Sequence, residues 1–188
     1  MHTPKFNKLS IKSLAFIPFL AICLSNFIVV WFNKVSLNQD ISTNIILQDL
    51  LSCLLISISE ELVFRVVLFN EFLDHKKPLL SIIYSSLIFG GVHLLNIASF
   101  GDILPCLIQC LYSFGIGLVL SFIYYHSKNL ILPVFFHFLF NFLNDSLVIN
   151  LYNLNWNLSF YLINILITVI MLGYALLLYY IFNKKEDN

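Results

Sequence analysis

Six apolar stretches run along the chain, at residues 12–32, 43–69, 79–100, 103–125, 130–150 and 158–182. Each is long enough for a membrane-spanning helix, which needs about 20 mostly apolar residues. The connections are short and polar: 33–42, 70–78, a tight Gly101-Asp102 break, 126–129 and 151–157. Pro18, Pro105 and Pro133 fall in or near first turns, where a missing N–H matters least. Lys5, Lys8 and Lys12 precede the first stretch in the manner of a signal peptide. That stretch is long enough to span and no small-x-small cleavage site follows, so it reads as a retained helix. No linker or repeat interrupts the pattern. It predicts an all-α polytopic helix bundle, one domain over 1–188 with a motif-bearing core at 43–150.

Composition sharpens this picture. Apolar residues are 60 % of the 188 and charged residues 11 %, against roughly 45–50 % and 25 % in soluble proteins. A soluble fold of this size has too little polar cover for that much apolar surface, and disorder is excluded on the same grounds. The net charge of +0 excludes a basic nucleic-acid binder, and the apolar composition makes membrane lipid the expected surroundings. Oligomeric state is not written in the sequence. Cys23, Cys53, Cys106 and Cys110 lie in apolar stretches without CxxC or zinc spacing, and read as free buried thiols.

The lysines set an orientation. Lys5, Lys8, Lys12, Lys76, Lys77, Lys128, Lys184 and Lys185 fall on one side of a six-helix alternation, and Lys34 alone on the other. The excess of Lys and Arg on cytoplasmic loops predicts both termini in the cytoplasm of a multi-pass protein in the cell membrane. The abundant Asn, Ile, Phe and Lys suggest an AT-rich genome, and a bacterium is the expected source. Trp31, Tyr124, Tyr125, Trp156, Tyr179 and Tyr180 fall near helix ends, as interfacial anchors do.

The tenth basic residue is Arg65, inside the second stretch with Glu60 and Glu61. Each such charge costs about 2.5–3.5 kcal/mol at a helix centre on insertion scales. Glu61 and Arg65 are four apart and share a helix face, so they pair. Glu60 points roughly 100° away and has no local partner. The plain alternative is that all three lie at the cytoplasmic interface, where Glu71 and Asp74 follow. The third stretch carries Phe89-Gly90-Gly91-Val92-His93 and the fifth His137-Phe138-Leu139-Phe140-Asn141, each an i, i+4 pair. Gly90 and Gly91 remove bulk and let another helix approach. Counted from the lysine-bearing ends, Glu60 and His137 lie roughly 12–13 Å deep, Asn141 about 18 Å and His93 about 21 Å. That spread is compatible with one site below the cytoplasmic surface. His2, His75 and His126 fall outside the apolar runs and read as solvated.

A carboxylate, two imidazoles and a carboxamide in a partly dry cavity suit peptide hydrolysis. A desolvated carboxylate is a stronger base and deprotonates water, and imidazole and amide donors hold the oxyanion of a tetrahedral intermediate.

Glu60-Glu61-xxx-Arg65, Phe89-xxx-His93 and His137-xxx-Asn141 together resemble the three-motif signature of the CAAX-protease and bacteriocin-processing (Abi) family. These are intramembrane glutamic endopeptidases of all-α polytopic fold. The resemblance implies that Glu60 and His93 activate water, that His137 and Asn141 stabilise the oxyanion, and that Glu61 and Arg65 support the site. It implies no cofactor. It leaves open the substrate, prenylated or not, and the role, whether CAAX-type processing, pheromone or bacteriocin maturation, or self-immunity.

Three other readings fit the same residues. Glu60, His93 and His137 are a ligand set for zinc with water in the fourth position, against which stand the absence of HExxH and the poor ligand quality of Asn. A non-catalytic immunity or interaction protein would keep the polar residues as glue between helices. An ion or proton pathway would use them with Asp145, which otherwise reads as an outer-interface residue.

Overall fold

A computed structural model describes residues 2–8, 11–152 and 157–183. It has six helices: α1 (Ser13–Asn33), α2 (43–75), α3 (Pro78–Phe100), α4 (Ile103–Ser127), α5 (Ile131–Tyr152) and α6 (Leu158–Asn183). Among the described residues there is no strand, only an isolated bridge between Phe6 and Asn129. The side chain of Asp145, Trp156, and the tail lysines Lys184 and Lys185 lie outside the description.

Five helices are long and apolar enough to cross a membrane. The exception is α2, whose apolar run is interrupted by Asp49, Glu60, Glu61 and Arg65. It still runs the full height of the bundle. Asn150 near the end of α5 donates to Asp49 close to its start, and His2 Nε2 lies 3.3 Å from Asp74 at its other end. It also extends beyond the expected limit at Phe69, continuing to His75.

Local chemistry explains the boundaries. Ser42 caps α2 by accepting from Ile45 N–H. Gly101 ends α3 at φ 68°, and the Asp102 side chain accepts from Leu104 N–H to open α4. Lys128 closes α4 in the left-handed region at φ 51°. Beside Lys5 and 4.1 Å over the Tyr125 ring, its ammonium is held below the ordinary lysine range, first by burial and then by the Lys5 charge. Pro18 falls between a 3-10 turn at Ile11–Phe16 and a short α segment at Phe19–Ile22, so α1 is irregular.

The interior and exterior are reversed relative to a soluble protein. Ser57, Glu61, Arg65, Ser85, Ser86, Ser121, Asn144 and Asn164 are fully buried, while Leu95 is 77 % and Leu176 70 % exposed. Hydrocarbon outside and hydrogen-bonded polar groups between helices account for both. The protein is a multi-pass membrane protein. A carboxamide cluster ties three helices: Asn144 Oδ1 on α5 accepts from Asn26 N–H at 2.8 Å and Ser25 O–H at 3.0 Å on α1. Asn164 of α6 donates to Asn26 Oδ1 at 3.5 Å.

Helix α4 is the central post, buried over most of its length against α3 on one side and α6 on the other. Its crossing with α3 needs glycine. A Cβ on Gly90 would sit 2.8 Å from the Cys110 carbonyl oxygen, and one on Gly117 would meet Ser86 and the Phe89 ring at 3.1 Å. Gly91, expected to serve the same approach, faces open space. Cys23, Cys53 and Cys106 are buried and Cys110 is partly exposed. Tyr124 is not an interfacial anchor. It is buried, because its hydroxyl accepts from Asn70 Nδ2 at 3.2 Å. His126 stacks on Phe182 at 4.0 Å, so it is packed rather than simply solvated.

The two glycines give a paired test. Gly90→Ala forces backbone movement and is expected to destabilise by about 1–3 kcal/mol, whereas Gly91→Ala is neutral or stabilising through helix propensity. Thermal melting of the detergent-purified variants checks the contrast.

Candidate active site

The site is assembled from α2, α3 and α5. Two of these helices widen where they carry it. Residues Leu62–Phe69 of α2 and Phe140–Ser146 of α5 form π-helical turns with i→i+5 hydrogen bonding. Such turns concentrate at functional sites. In α3 the α-helical bonding stops at Val92, and His93–Asn96 form a 3-10 turn. Each motif therefore sits at a change of helical pitch.

Glu61 is fully buried and held from two sides. Arg65 Nε lies 2.8 Å from its Oε2, and His137 Nδ1 lies 2.9 Å from its Oε1. The Arg65 contact is a close charge pair whose N–H is not aligned on the oxygen. Its guanidinium carbon lies 5.0 Å from the centre of the Phe89 ring, and Nη1 and Nη2 have no hydrogen-bond partner among the described residues. A ring face beneath a desolvated cation recovers part of the burial penalty. Phe89 also meets Phe64, His93 and His137 edge to face, with centroids 4.9, 5.2 and 5.6 Å away.

Glu60 faces elsewhere, as its neighbour's pairing requires. Its side chain is 30 % exposed, with Oε2 3.5 Å from His137 Nε2. His137 thus lies between the two glutamates, one on each ring nitrogen. His93 Nδ1 lies 2.8 Å from the Phe89 carbonyl. A carbonyl only accepts, so Nδ1 carries the proton and Nε2 keeps its lone pair.

Glu60, His93 and Asn141 line a common cavity of about 370 Å³. Glu61, Arg65 and His137 lie behind Glu60 and do not line it. Six residues named by the sequence thus form two layers: three at the cavity and three buried in support. Sequence reasoning missed Asn96 and Gln109, which also line the cavity and pair at 2.8 Å, Nδ2 to Oε1. Two carboxamides inside apolar stretches were the available signal. Among the described residues no three His, Cys, Asp or Glu side chains converge as metal ligands.

Because α2 continues to His75, Glu60 lies about 22 Å from the helix end and about 13 Å from Phe69, where the apolar run ends. The remaining cavity residues Cys53, Asn96, Gln109 and Ser146 lie toward the opposite helix ends.

The type II CAAX prenyl endopeptidase Rce1-like family matches residues 42–143, which contain all three motifs. The chain belongs to this Rce1-like family. Membership makes it a CAAX-type membrane protease by family, and the match begins at the first turn of α2 and ends just after Asn141. No curated protein and no solved structure matches the chain.

The supporting layer can be tested by stability. Arg65→Ala leaves Glu61 without its cationic partner in a dry site and is expected to cost about 3–5 kcal/mol. Glu61→Gln combined with Arg65→Met removes both charges and should melt closer to wild type than Arg65→Ala alone. Melting temperatures of the three proteins in one detergent measure this.

Proposed function

We infer that this protein is an intramembrane endopeptidase of the glutamic type, cutting a membrane-associated peptide or small protein with water activated by Glu60 and His93. The observation that carries the reading is the sharing of one cavity by Glu60, His93 and Asn141 while Glu61 and Arg65 neutralise each other behind it. A base must keep a lone pair for water, and Glu60 lines the cavity with its side chain 30 % exposed.

The steps follow from the groups. Water donates one hydrogen bond to Glu60 and another to His93 Nε2. Glu60 takes a proton as the water oxygen attacks the scissile carbonyl carbon. Negative charge develops on the carbonyl oxygen, where Asn141 Nδ2 is the nearest amide donor lining the cavity. The C–N bond then breaks, and Glu60 returns its proton to the leaving nitrogen. His137 acts by positioning: Glu61 fixes its Nδ1, and its Nε2 side fixes the rotamer of Glu60. This differs from an oxyanion role, which would need His137 to leave Glu60.

The reading needs no metal. With His137 engaged at both nitrogens, Glu60 and His93 are the remaining cavity-facing donors of the zinc set, fewer than the three protein ligands of a catalytic zinc site. Activity is expected to survive chelators, and recovery of a chelator-treated protein by Zn²⁺ alone would return zinc to the site.

The decisive comparison is wild type against Glu60→Gln, reconstituted in nanodiscs with a membrane-derived peptide library and scored by new N-termini. Gln keeps the shape and cannot take a proton, so turnover is expected to fall roughly 10²–10⁴-fold with unchanged melting. His93→Ala should behave alike. Cleavage by Glu60→Gln at the wild-type rate, with Glu61→Gln inactive, reverses the roles of the two carboxylates, and new N-termini that depend on neither glutamate return the non-catalytic immunity or interaction reading to first place.

A further inference from the structure

Asn96 and Gln109 line the cavity and take no part in the steps described above. Both stand on apolar helices and both are half-buried, where an idle polar side chain costs stability. They reach each other from α3 and α4, with Asn96 Nδ2 donating to Gln109 Oε1 at 2.8 Å. A carboxamide carries one donor group and one acceptor, so a single shared bond leaves one of each. Asn96 Oδ1 and Gln109 Nε2 have no hydrogen-bond partner among the described residues. Turning both amides over would exchange the two atoms and leave the same inventory.

An acceptor beside a donor is what the edge of a β-strand presents. In an extended chain the N–H and C=O of one residue point to the same edge, and the next residue turns to the other. Two antiparallel residues of this kind exchange both bonds. The carboxamide pair offers that exchange to one residue of a bound polypeptide. Asn96 Oδ1 accepts its N–H, and Gln109 Nε2 donates to its C=O.

Spacing ties the pair to the reacting groups. His93–Asn96 form a 3-10 turn. Side chains three apart eclipse in such a turn, and three residues rise about 6 Å. Asn96 therefore follows His93 along one line. An extended chain repeats the same edge every two residues, about 6.6–6.8 Å apart. A chain whose scissile carbonyl stands at His93 and Asn141 thus brings the residue two positions away to the pair, with its N–H and C=O turned the same way. Ile56 and Val92 add apolar wall for its side chains.

We propose that Asn96 and Gln109 bind the substrate main chain at the residue two positions from the one that carries the scissile carbonyl. The substrate is an extended polypeptide segment, read at that residue by its backbone and not by its side chain. The word scissile rests on the endopeptidase reading; the binding of an extended backbone by the pair does not.

Backbone methylation tests this without altering the pair. Glu60→Gln in nanodiscs is offered the membrane-derived peptide library, and the peptide retained most strongly is resynthesised with an N-methyl group at each residue in turn. Retention is expected to fall about 3–10-fold at one residue, the worth of one net hydrogen bond. That residue should lie two positions from the carbonyl cut by the wild-type protein. Adding Asn96→Leu is expected to weaken binding of the unmethylated peptide by a similar factor and to abolish the methyl effect at that residue alone. A pair that only joined α3 to α4 would leave the methyl effect in place. Gln109→Met is the second variant, read in the same way should Asn96→Leu fail to fold. An undiminished methyl effect in the variants, a sensitive residue at another spacing, no sensitive residue or no retained peptide overturns the proposal. A protein that retains peptide through the pair and cuts none loses the endopeptidase reading and keeps this site. One that cuts with no dependence on either carboxamide keeps its chemistry and loses this site.

Discussion

Everything at the site depends on one buried carboxylate being neutralised. Glu61 is shut off from solvent, and a lone carboxylate in that environment is not tolerated. Arg65 one turn along and His137 from α5 resolve this together, at 2.8 and 2.9 Å. The consequence is mechanical as well as electrostatic. Fixing His137 docks α5 onto α2, and the far side of the same ring then meets Glu60. The order of the reactive layer is thus inherited from the order of the supporting layer. Phe89 contributes by giving the guanidinium a ring face where no oxygen is at hand.

The helices around this core are arranged to bring α3 close. Gly90 and Gly117 permit the α3–α4 crossing, and the buried Ser121 hydroxyl of α4 lies 3.3 Å from that of Ser85 and 3.5 Å from that of Ser86 on α3. That crossing sets the height at which Phe89 and His93 stand. On the other flank, the Asn26–Asn144–Asn164 cluster joins α1 and α6 to α5. In hydrocarbon, apolar surface offers helices no reason to associate, so such polar and small-residue contacts carry the specificity of the fold.

Much of this was legible in the sequence. The i, i+4 spacing of Glu61 and Arg65 identified the pair, and the single-residue offset of Glu60 identified the unpaired carboxylate. The hydrophobic runs marked every helix, and Gly101-Asp102 marked the sharpest turn. What escaped depends on tertiary context. Tyr124 looks like an interface residue until Asn70 is placed beside it. Gly90 and Gly91 are indistinguishable by composition, and the packing of Cys110 and Phe114 separates them. The end of α2 also depended on tertiary context: the polar run 70–75 continues the helix to His75, where Glu71 and Asp74 meet His2.

The wide turns at Leu62–Phe69 and Phe140–Ser146 have a consequence for anyone comparing or engineering such chains. A π-turn is an α-helix holding one residue too many. Deleting a single residue inside either turn would restore regular bonding locally. The later part of that helix would keep its place, because the wide turn had already absorbed the extra residue, and the side chains inside the turn, Arg65 or Asn141 among them, would change direction. Spacing within each turn is therefore not free to drift by one. Alignments that open a one-residue gap there would be describing a different active-site geometry, however well the flanking apolar residues match.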